Sequence, residues 1–422
     1  MHKLFFKACA VFCMGIPLFF AACEPPEPKP VQLEGIYLAG GFLHTGQVKV
    51  IKPSTIPPGA EYSEISYSVT DLGTTNISID DTGEITAGDK IGEAEITVAV
   101  ISKEGISYTA VGSFRVGNGE GVLPSNIAAL SLPSGSDDYF LCLDGHWTHE
   151  NLKQLAEKIK SCSATTEGIY LDLSAVEGIA TIAQDTFKDC KSLSGVRLPD
   201  GLTDTGYRSF YGCTNLTSVI LPNSVNRIGA QSFSDCGITS IKIPEDCKYI
   251  ELNAFSGCSN LTDIEIPDSV TYIGDYAFRG CSSLKSVKLP VGITRIKTDA
   301  FYECKSLTSI DIPFGVTHIE ESAFSKCTNL ETVNLPSSLK EIGKSAFSKC
   351  TNLDNLKLPS SLKEIGQDAF DYCTALSSIN FDGTTEQWKK VKKDNISGWT
   401  GVNGGKGTKV TCSDGEITIF PF

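Results

Sequence analysis

Leu353-Asp354-Asn355-Leu356-Lys357-Leu358-Pro359 alternates apolar and polar side chains and ends on proline. Alternation with a period of two is the mark of a short strand with one face in a core. Pro359 has no backbone N–H to donate, so it stops ladder pairing and turns the chain. Downstream, Leu362 and Ile365 re-enter the core, Gly366 is read as a permissive turn, and Ala369-Phe370 fills the convex side.

The same pattern recurs. Phe187, Phe210, Phe233, Phe255, Phe278, Phe301, Phe324, Phe347 and Phe370 repeat every 23 residues, with one step of 22. Three residues after each stands a cysteine: Cys190, Cys213, Cys236, Cys258, Cys281, Cys304, Cys327, Cys350 and Cys373. Eight of the nine strand segments run into proline, from Pro199 to Pro359, and the ninth ends at Phe381-Asp382. One such unit cannot bury its apolar set alone, whereas stacked units share a continuous core. Coils about 4.8 Å apart give a solenoid of roughly 40 Å. The unit around Cys236 lacks one residue before Ile238, which predicts a local irregularity.

These units resemble the BspA-like, treponemal type of leucine-rich repeat, in which Leu-x-x-Leu-x-Leu-Pro leads to Ile-Gly-x-x-Ala-Phe-x-x-Cys. The resemblance covers residues 169–383, half of the chain. It departs at Thr205, which replaces the isoleucine, and at Glu251, Lys297 and Glu320, which replace the glycine. Those three argue against an obligatory left-handed backbone there.

The sequence holds 16 cysteines, and nine share one repeat position, so they stack as an internal ladder of buried thiols rather than a disulfide framework. Cys247 takes the core position of Val225 and Val270. An in-register ladder does not converge ligands on one point, so no metal site and no cofactor are expected. Cys142 and Cys162 flank a helix-like stretch and form a candidate disulfide.

Residues 1–22 read as a signal peptide: Lys3 and Lys7 precede an apolar run too short to span a bilayer comfortably. Phe20-Ala21-Ala22-Cys23 resembles a bacterial lipobox, although Phe20 stands where leucine is preferred. The resemblance implies a lipid on Cys23 and an outer-membrane, outward-facing location. Residues 23–34 form a stiff Pro-rich tether.

Residues 35–117 contain short alternating strands such as Gln47–Val50, Ile65–Val69 and Ala94–Val100. Ile77–Ala87 followed by Gly92–Val98 resembles a bacterial Ig-like group 2 domain, which implies a small β-sandwich. Its usual tryptophan is missing, with Tyr67 the nearest aromatic. Asp80 and Asp81 read as a hairpin turn rather than a calcium loop. Residues 118–168 serve as linker and N-terminal cap, with Leu152, Leu155, Ala156 and Ile159 at helical spacing. Residues 384–422 form the C-terminal cap, with Trp388 as a core plug.

A net charge of −14 excludes nucleic acid as an expected partner, and the Lys389–Lys393 run reads as a solvated face. No HExxH, phosphate loop or nucleophile elbow is present, so an enzyme is not expected. His146 and His149 have no third ligand nearby in sequence. The outward strand residues are small, polar and mixed in sign, as suits a broad, wet protein contact. Asp263, Glu265, Lys288, Asp311, Asn334 and Lys357 are the candidate binding residues by position. BspA-like relatives imply adhesion to an extracellular or host matrix protein. The alternatives are a passive scaffold or a glycan-binding lipoprotein. The latter needs Tyr37, Phe42, Tyr62, Tyr67, Trp147, Trp388 and Trp399 to converge and be exposed.

Overall fold

In a computed structural model of the chain, the described residues are 168–394 without interruption, 139–162, 408–419, 124–130, 132, and segments 35–37, 41–44, 48–50, 54–56, 62–71, 78–86, 92–102 and 106–117. Cys23 and the side chain of Cys142 lie outside them, and with them the lipid site and the Cys142–Cys162 pairing. The chain divides into two units, Met1–Gly117 and Asn118–Phe422.

In the first unit, Gly92–Ser102 and Ser107–Gly117 form an antiparallel pair. Tyr62–Asp71 adds antiparallel to the first of these, and Gly41–His44 adds parallel to the second. Ile96, Val98 and Val100 are buried in alternation, as the period-two pattern requires. Separately, Glu84–Thr86 pairs with Val48–Val50 and with Ser78–Ile79. The turn between the last two strands rests on Asp80. Its Oδ1 accepts from the Thr82 backbone N–H (2.9 Å), the Thr82 hydroxyl (2.6 Å) and the Glu84 N–H (2.9 Å). These bonds hold the Asp80 carboxyl below its ordinary range, and Gly83 supplies the left-handed residue at φ 82°. This is a hairpin turn with its acceptor already engaged.

The second unit is a β-solenoid of nine coils, each marked by a buried phenylalanine. One face of each coil carries a short parallel strand, such as Asp263–Glu265 or Asn355–Leu358. Along another side of the coils a second ladder of two-residue parallel strands runs in two sheets, Arg227–Ile228 to Tyr272–Ile273 and Arg295–Ile296 to Lys392–Lys393, with a break between them. Ile365 re-enters the core, as its place in the repeat predicts, and the chain also pairs there, Glu364 and Ile365 with Glu341 and Ile342. In the shortened coil the first strand shrinks to a single bridge, Ser240 to Asp263.

The phenylalanines stack. Ring centroids of successive coils lie 5.1–5.7 Å apart with interplanar angles of 4–11° from Phe187 to Phe370. Near-parallel rings at this separation gain beyond simple burial, by about 0.5–1.5 kcal/mol a pair. Every phenylalanine is flanked, two residues before and two after, by left-handed residues. Tyr276 (φ 60°) and Gly280 (73°) flank Phe278, and Ser345 (52°) and Lys349 (62°) flank Phe347. The sharp turn thus sits around the ring; of the consensus glycines only Gly206 (φ 83°) is also left-handed. Gly366, read as a permissive turn, does not adopt positive φ. It is needed because a Cβ there would lie 2.5 Å from the Lys344 nitrogen of the preceding coil.

Both ends are covered. The helix α1 (His149–Ser161) buries Leu152, Leu155, Ala156 and Ile159. Thr148 caps it, its hydroxyl accepting from the Asn151 N–H at 3.2 Å while the Thr148 N–H donates to Asn151 Oδ1 at 3.3 Å. The Cys190 thiol of the first coil reaches the Ala156 carbonyl at 3.7 Å. At the other end, Thr408–Cys412 extends the strand ladder next to Ser378–Phe381 and folds back as a hairpin with Gly415–Ile419. The short helix α2 (Thr385–Lys390) buries Trp388 against Phe381, ring centroids 5.2 Å apart. Lys393 caps its end by donating to the Trp388 and Val391 carbonyls at 2.6 and 2.7 Å.

Candidate functional site

The first-strand face alternates strictly: Ile264, Val287, Ile310, Val333 and Leu356 point in, and their neighbours point to solvent. The six candidate residues, Asp263, Glu265, Lys288, Asp311, Asn334 and Lys357, all lie exposed on this face. Several meet across adjacent coils. Lys288 lies 3.5 Å from Glu265, the Ser286 hydroxyl donates to Asp263 at 3.0 Å, and the Asn334 amide donates to Asp311. Lys357 instead reaches Asp382 at 3.1 Å. Solvent-exposed pairs of this kind are worth about 0–1 kcal/mol, so an incoming partner exchanges them at little cost.

The face is not continuous. Asp263–Glu265 pairs with Ser286–Lys288, and Ser309–Asp311 pairs with Thr332–Asn334, but these form separate two-stranded sheets. At the seam between Ser286–Lys288 and Ser309–Asp311 lies a shallow depression of about 390 Å³. Ser286, Lys288, Leu289, Val291, Ser309, Asp311 and Pro313 line it.

Next to this seam stand the two most exposed large apolar side chains of the described residues, Val291 at 65% and Phe314 at 78%. They occupy the same repeat position, directly after the strand proline, in consecutive coils. Other coils place Asp200, Asn223, Glu245, Asp268, Ser337 and Ser360 there. This column lies outside the residues between the core positions of each strand, so strand alternation alone does not point to it. Aligning the repeats would have found it, because the column turns from polar to apolar in two successive units.

Beside the left-handed turns that flank the phenylalanines, the aromatics are already engaged. The Arg279 guanidinium lies 5.5 Å from the Tyr276 ring and 4.7 Å from that of Tyr302, and pairs with Asp299 at 3.0 Å. Lys326 sits 4.7 Å over Tyr302 and 2.7 Å from Glu303. The bond with Lys326 holds the Glu303 carboxyl below its ordinary range, and Glu303 raises the Lys326 ammonium in return. Partial burial pushes Asp299 up. The arrangement ties neighbouring coils together and covers its own rings.

Trp147 and Trp388 are buried at 1% and 3% exposure. The exposed aromatic cluster that a glycan reading required of these tryptophans is therefore absent from both caps as far as they are concerned. Tyr37, Phe42, Tyr62 and Trp399 have side chains outside the described residues. In the lysine run, Lys389 pairs with Glu386 at 2.6 Å and Lys392 with Glu364 at 2.7 Å. Among the described residues no group of three or more His, Cys, Asp or Glu side chains is placed to hold a metal ion.

Comparison with known proteins agrees with the repeat geometry. The family model for the BspA type leucine rich repeat region matches residues 180–308 and 294–393, together half of the chain. That family is a repeat scaffold not associated with catalysis. No curated protein matches the chain significantly. Among solved structures, a leucine-rich repeat protein from Bacteroides ovatus is 31% identical over 56% of this chain and 59% of its own, with a TM-score of 0.49. The chain therefore spans less than two thirds of that relative's length. The T. pallidum leucine rich repeat protein is 28% identical over 44% of this chain and 78% of its own, TM-score 0.33. A leucine rich cell surface protein from Faecalibacterium prausnitzii is 24% identical over 51% and 86%, TM-score 0.26. With its nine-coil core, its Phe and Cys ladders and this match, the chain belongs to the BspA type leucine-rich-repeat family.

Proposed function

We propose that this chain is a cell-surface adhesion module that binds an extracellular or host matrix protein through the strand face of its solenoid. The observation that supports it best is the Val291–Phe314 pair beside the seam. A soluble surface exposes single apolar side chains without consequence, but adjacent large ones beside a polar depression mark an interaction site. Protein interfaces concentrate their energy in such apolar anchors, with polar groups at the rim. Lys288 and Asp311 line the depression, and Asp263, Glu265, Asn334 and Lys357 extend the rim.

In this reading Cys23 carries the lipid that holds the chain on the outer membrane, facing outward. Residues 23–34 form the tether and residues 35–117 an Ig-like spacer. The paired strands of that unit and the Asp80 turn support the spacer assignment. Residues 118–168 and 384–422 close the ends of residues 169–383. A Cys142–Cys162 disulfide belongs to the same proposal, and non-reducing peptide mapping tests it. Replacing Cys23 with serine moves the protein from the membrane fraction to the medium if the lipid is the anchor.

Surface plasmon resonance of residues 24–422 against immobilised fibronectin, fibrinogen, laminin and collagen tests the central claim. Saturable binding that survives physiological salt and weakens in Phe314→Ser supports it. Binding to none of the four, or binding indifferent to Phe314→Ser and Val291→Ser together, overturns the site.

A further inference from the structure

The second ladder carries an outward stripe of different chemistry. Tyr249 and Tyr272 are Cα partners on neighbouring parallel strands, and Arg227 is the partner of Tyr249 on the other side. Tyr249 is 46% exposed, Leu252 beside it is exposed, and Tyr272 is half-buried. Arg227 lies 3.0 Å from Glu251 and 3.7 Å from Asp204. One repeat beyond Tyr272, Arg295 pairs with Glu320 at 3.2 Å. Burial, with the Asp275 and Glu251 carboxylates, pushes the Tyr272 phenol up, so it stays a neutral hydroxyl.

These tyrosines differ from Tyr276 and Tyr302, whose faces are covered by Arg279 and Lys326. Among the described residues no cation sits over Tyr249, which is exposed, or over Tyr272, which is half-buried. We propose that Tyr249 and Tyr272 form a platform for an uncharged oligosaccharide, bordered by the Arg227–Glu251 and Arg295–Glu320 pairs.

The chemistry selects that class. A ring face is electron-rich and attracts the polarised C–H groups on the flat side of a pyranose. The phenols, guanidiniums and carboxylates around it offer both donors and acceptors to sugar hydroxyls. Each guanidinium is already balanced by a carboxylate, so the platform has no surplus positive field to draw a sulfated or uronate polymer. One tyrosine on each of two neighbouring coils suits a chain laid along the solenoid axis. The site is open rather than concave, so binding is weak for one ring and grows with chain length. The platform lies on a different ladder from Val291 and Phe314, and the proposal stands independently of protein adhesion.

Isothermal titration of residues 24–422 with cellohexaose, xylohexaose, laminarihexaose and chitohexaose tests it, with a heparin hexasaccharide as the anionic comparison. The expected result is saturable binding to at least one neutral hexamer, lost tenfold or more in Tyr249→Ala and in Tyr272→Ala. Tyr249→Phe keeps the ring and retains most of the binding, and Phe314→Ser leaves it unchanged. If alanine lowers the melting temperature, Tyr249→Gln replaces it as the test variant. Binding to no neutral hexamer, binding to heparin alone, or wild-type binding by the alanine variants overturns the proposal.

Discussion

The Cys281 thiol donates to the carbonyl oxygen of Phe255, one coil earlier, at 3.2 Å. The same carbonyl already accepts the Cys258 backbone N–H of its own coil at 3.1 Å. Eight successive thiols repeat this bond at 3.0–3.3 Å, from Cys213 to Phe187 through Cys373 to Phe347. The cysteine is therefore more than a small apolar filler. It saturates a buried carbonyl that no water reaches.

Replacing Cys304 with alanine removes both the packing and the donor, leaving the Phe278 carbonyl short of one bond. The expected loss is about 1–3 kcal/mol, read as a lower urea midpoint. Cys304→Val also loses the donor but fills the site with a slightly larger apolar group, so the alanine and valine variants together separate the packing from the hydrogen bond. A valine variant as stable as the wild type would show that the thiol acts by packing alone.

Burial also sets the acidity of the ladder. It pushes the Cys258, Cys327 and Cys373 thiols up to about 12. These groups titrate near 9.0 when unfolded. The fold thus favours the neutral thiol. That contribution is fully present below pH 9.0 and is lost as pH rises from 9.0 toward about 12. Thermal melts between pH 8 and 11 should fall steadily above pH 9, whatever the salt. Iodoacetamide at pH 8 should leave these three cysteines unlabelled until urea unfolds the chain.

The left-handed residues beside each ring predict an unusual gain. Non-glycine residues in this backbone region cost about 1–2 kcal/mol. Ser345 (φ 52°) and Lys349 (φ 62°) both occupy it. Ser345→Gly and Lys349→Gly should therefore stabilise the fold slightly, by up to about 1 kcal/mol once the added chain entropy is subtracted, read as a higher melting temperature. Lys349→Val should lower it. Equal melting temperatures for the glycine and valine variants would contradict the backbone geometry.

Arg279 and Tyr302 belong to neighbouring coils and meet across them. A double-mutant cycle with Arg279→Ala and Tyr302→Ala should show a coupling of about 0.5–1 kcal/mol. High salt should reduce it. A coupling of zero would mean the contact is geometric coincidence.

Phe314→Ser removes an exposed ring and no internal contact of the core. Its stability should stay within about 0.5 kcal/mol of the wild type, while any protein binding through the seam weakens at least tenfold. Loss of binding together with a lower melting temperature would assign the residue to folding instead.

The solenoid was legible because one coil repeats. The 23-residue spacing of Phe and Cys places every ring and thiol, and the Leu-x-Leu-Pro segments locate the first strands. Two features escaped. The second ladder uses strands of two residues, such as Tyr249–Ile250, too short to show any alternation. The left-handed sites carry Arg208, Gln231, Tyr276 and Lys326, residues that give no local hint of that conformation. Stacking against neighbouring coils imposes it. On the surface, Asp263 through Lys357 were found by strand position, but Val291, Phe314, Tyr249 and Tyr272 were not. Exposure at a turn or on a second ladder depends on how the coil closes, which one unit read alone does not reveal.

The thiol-to-carbonyl bond and the stacked rings join each coil to the next by the same set of contacts, so one coil's neighbour can be any other. The chain bears the trace of that freedom. Ser322–Leu330 and Ser345–Leu353 are identical, and so are Leu335–Gly343 and Leu358–Gly366. Recombination between such units adds or deletes a whole coil in frame without presenting the core with a new problem. Natural variants should then differ in length by multiples of one repeat. The outward columns are left free to diversify, as they have at Val291 and Phe314.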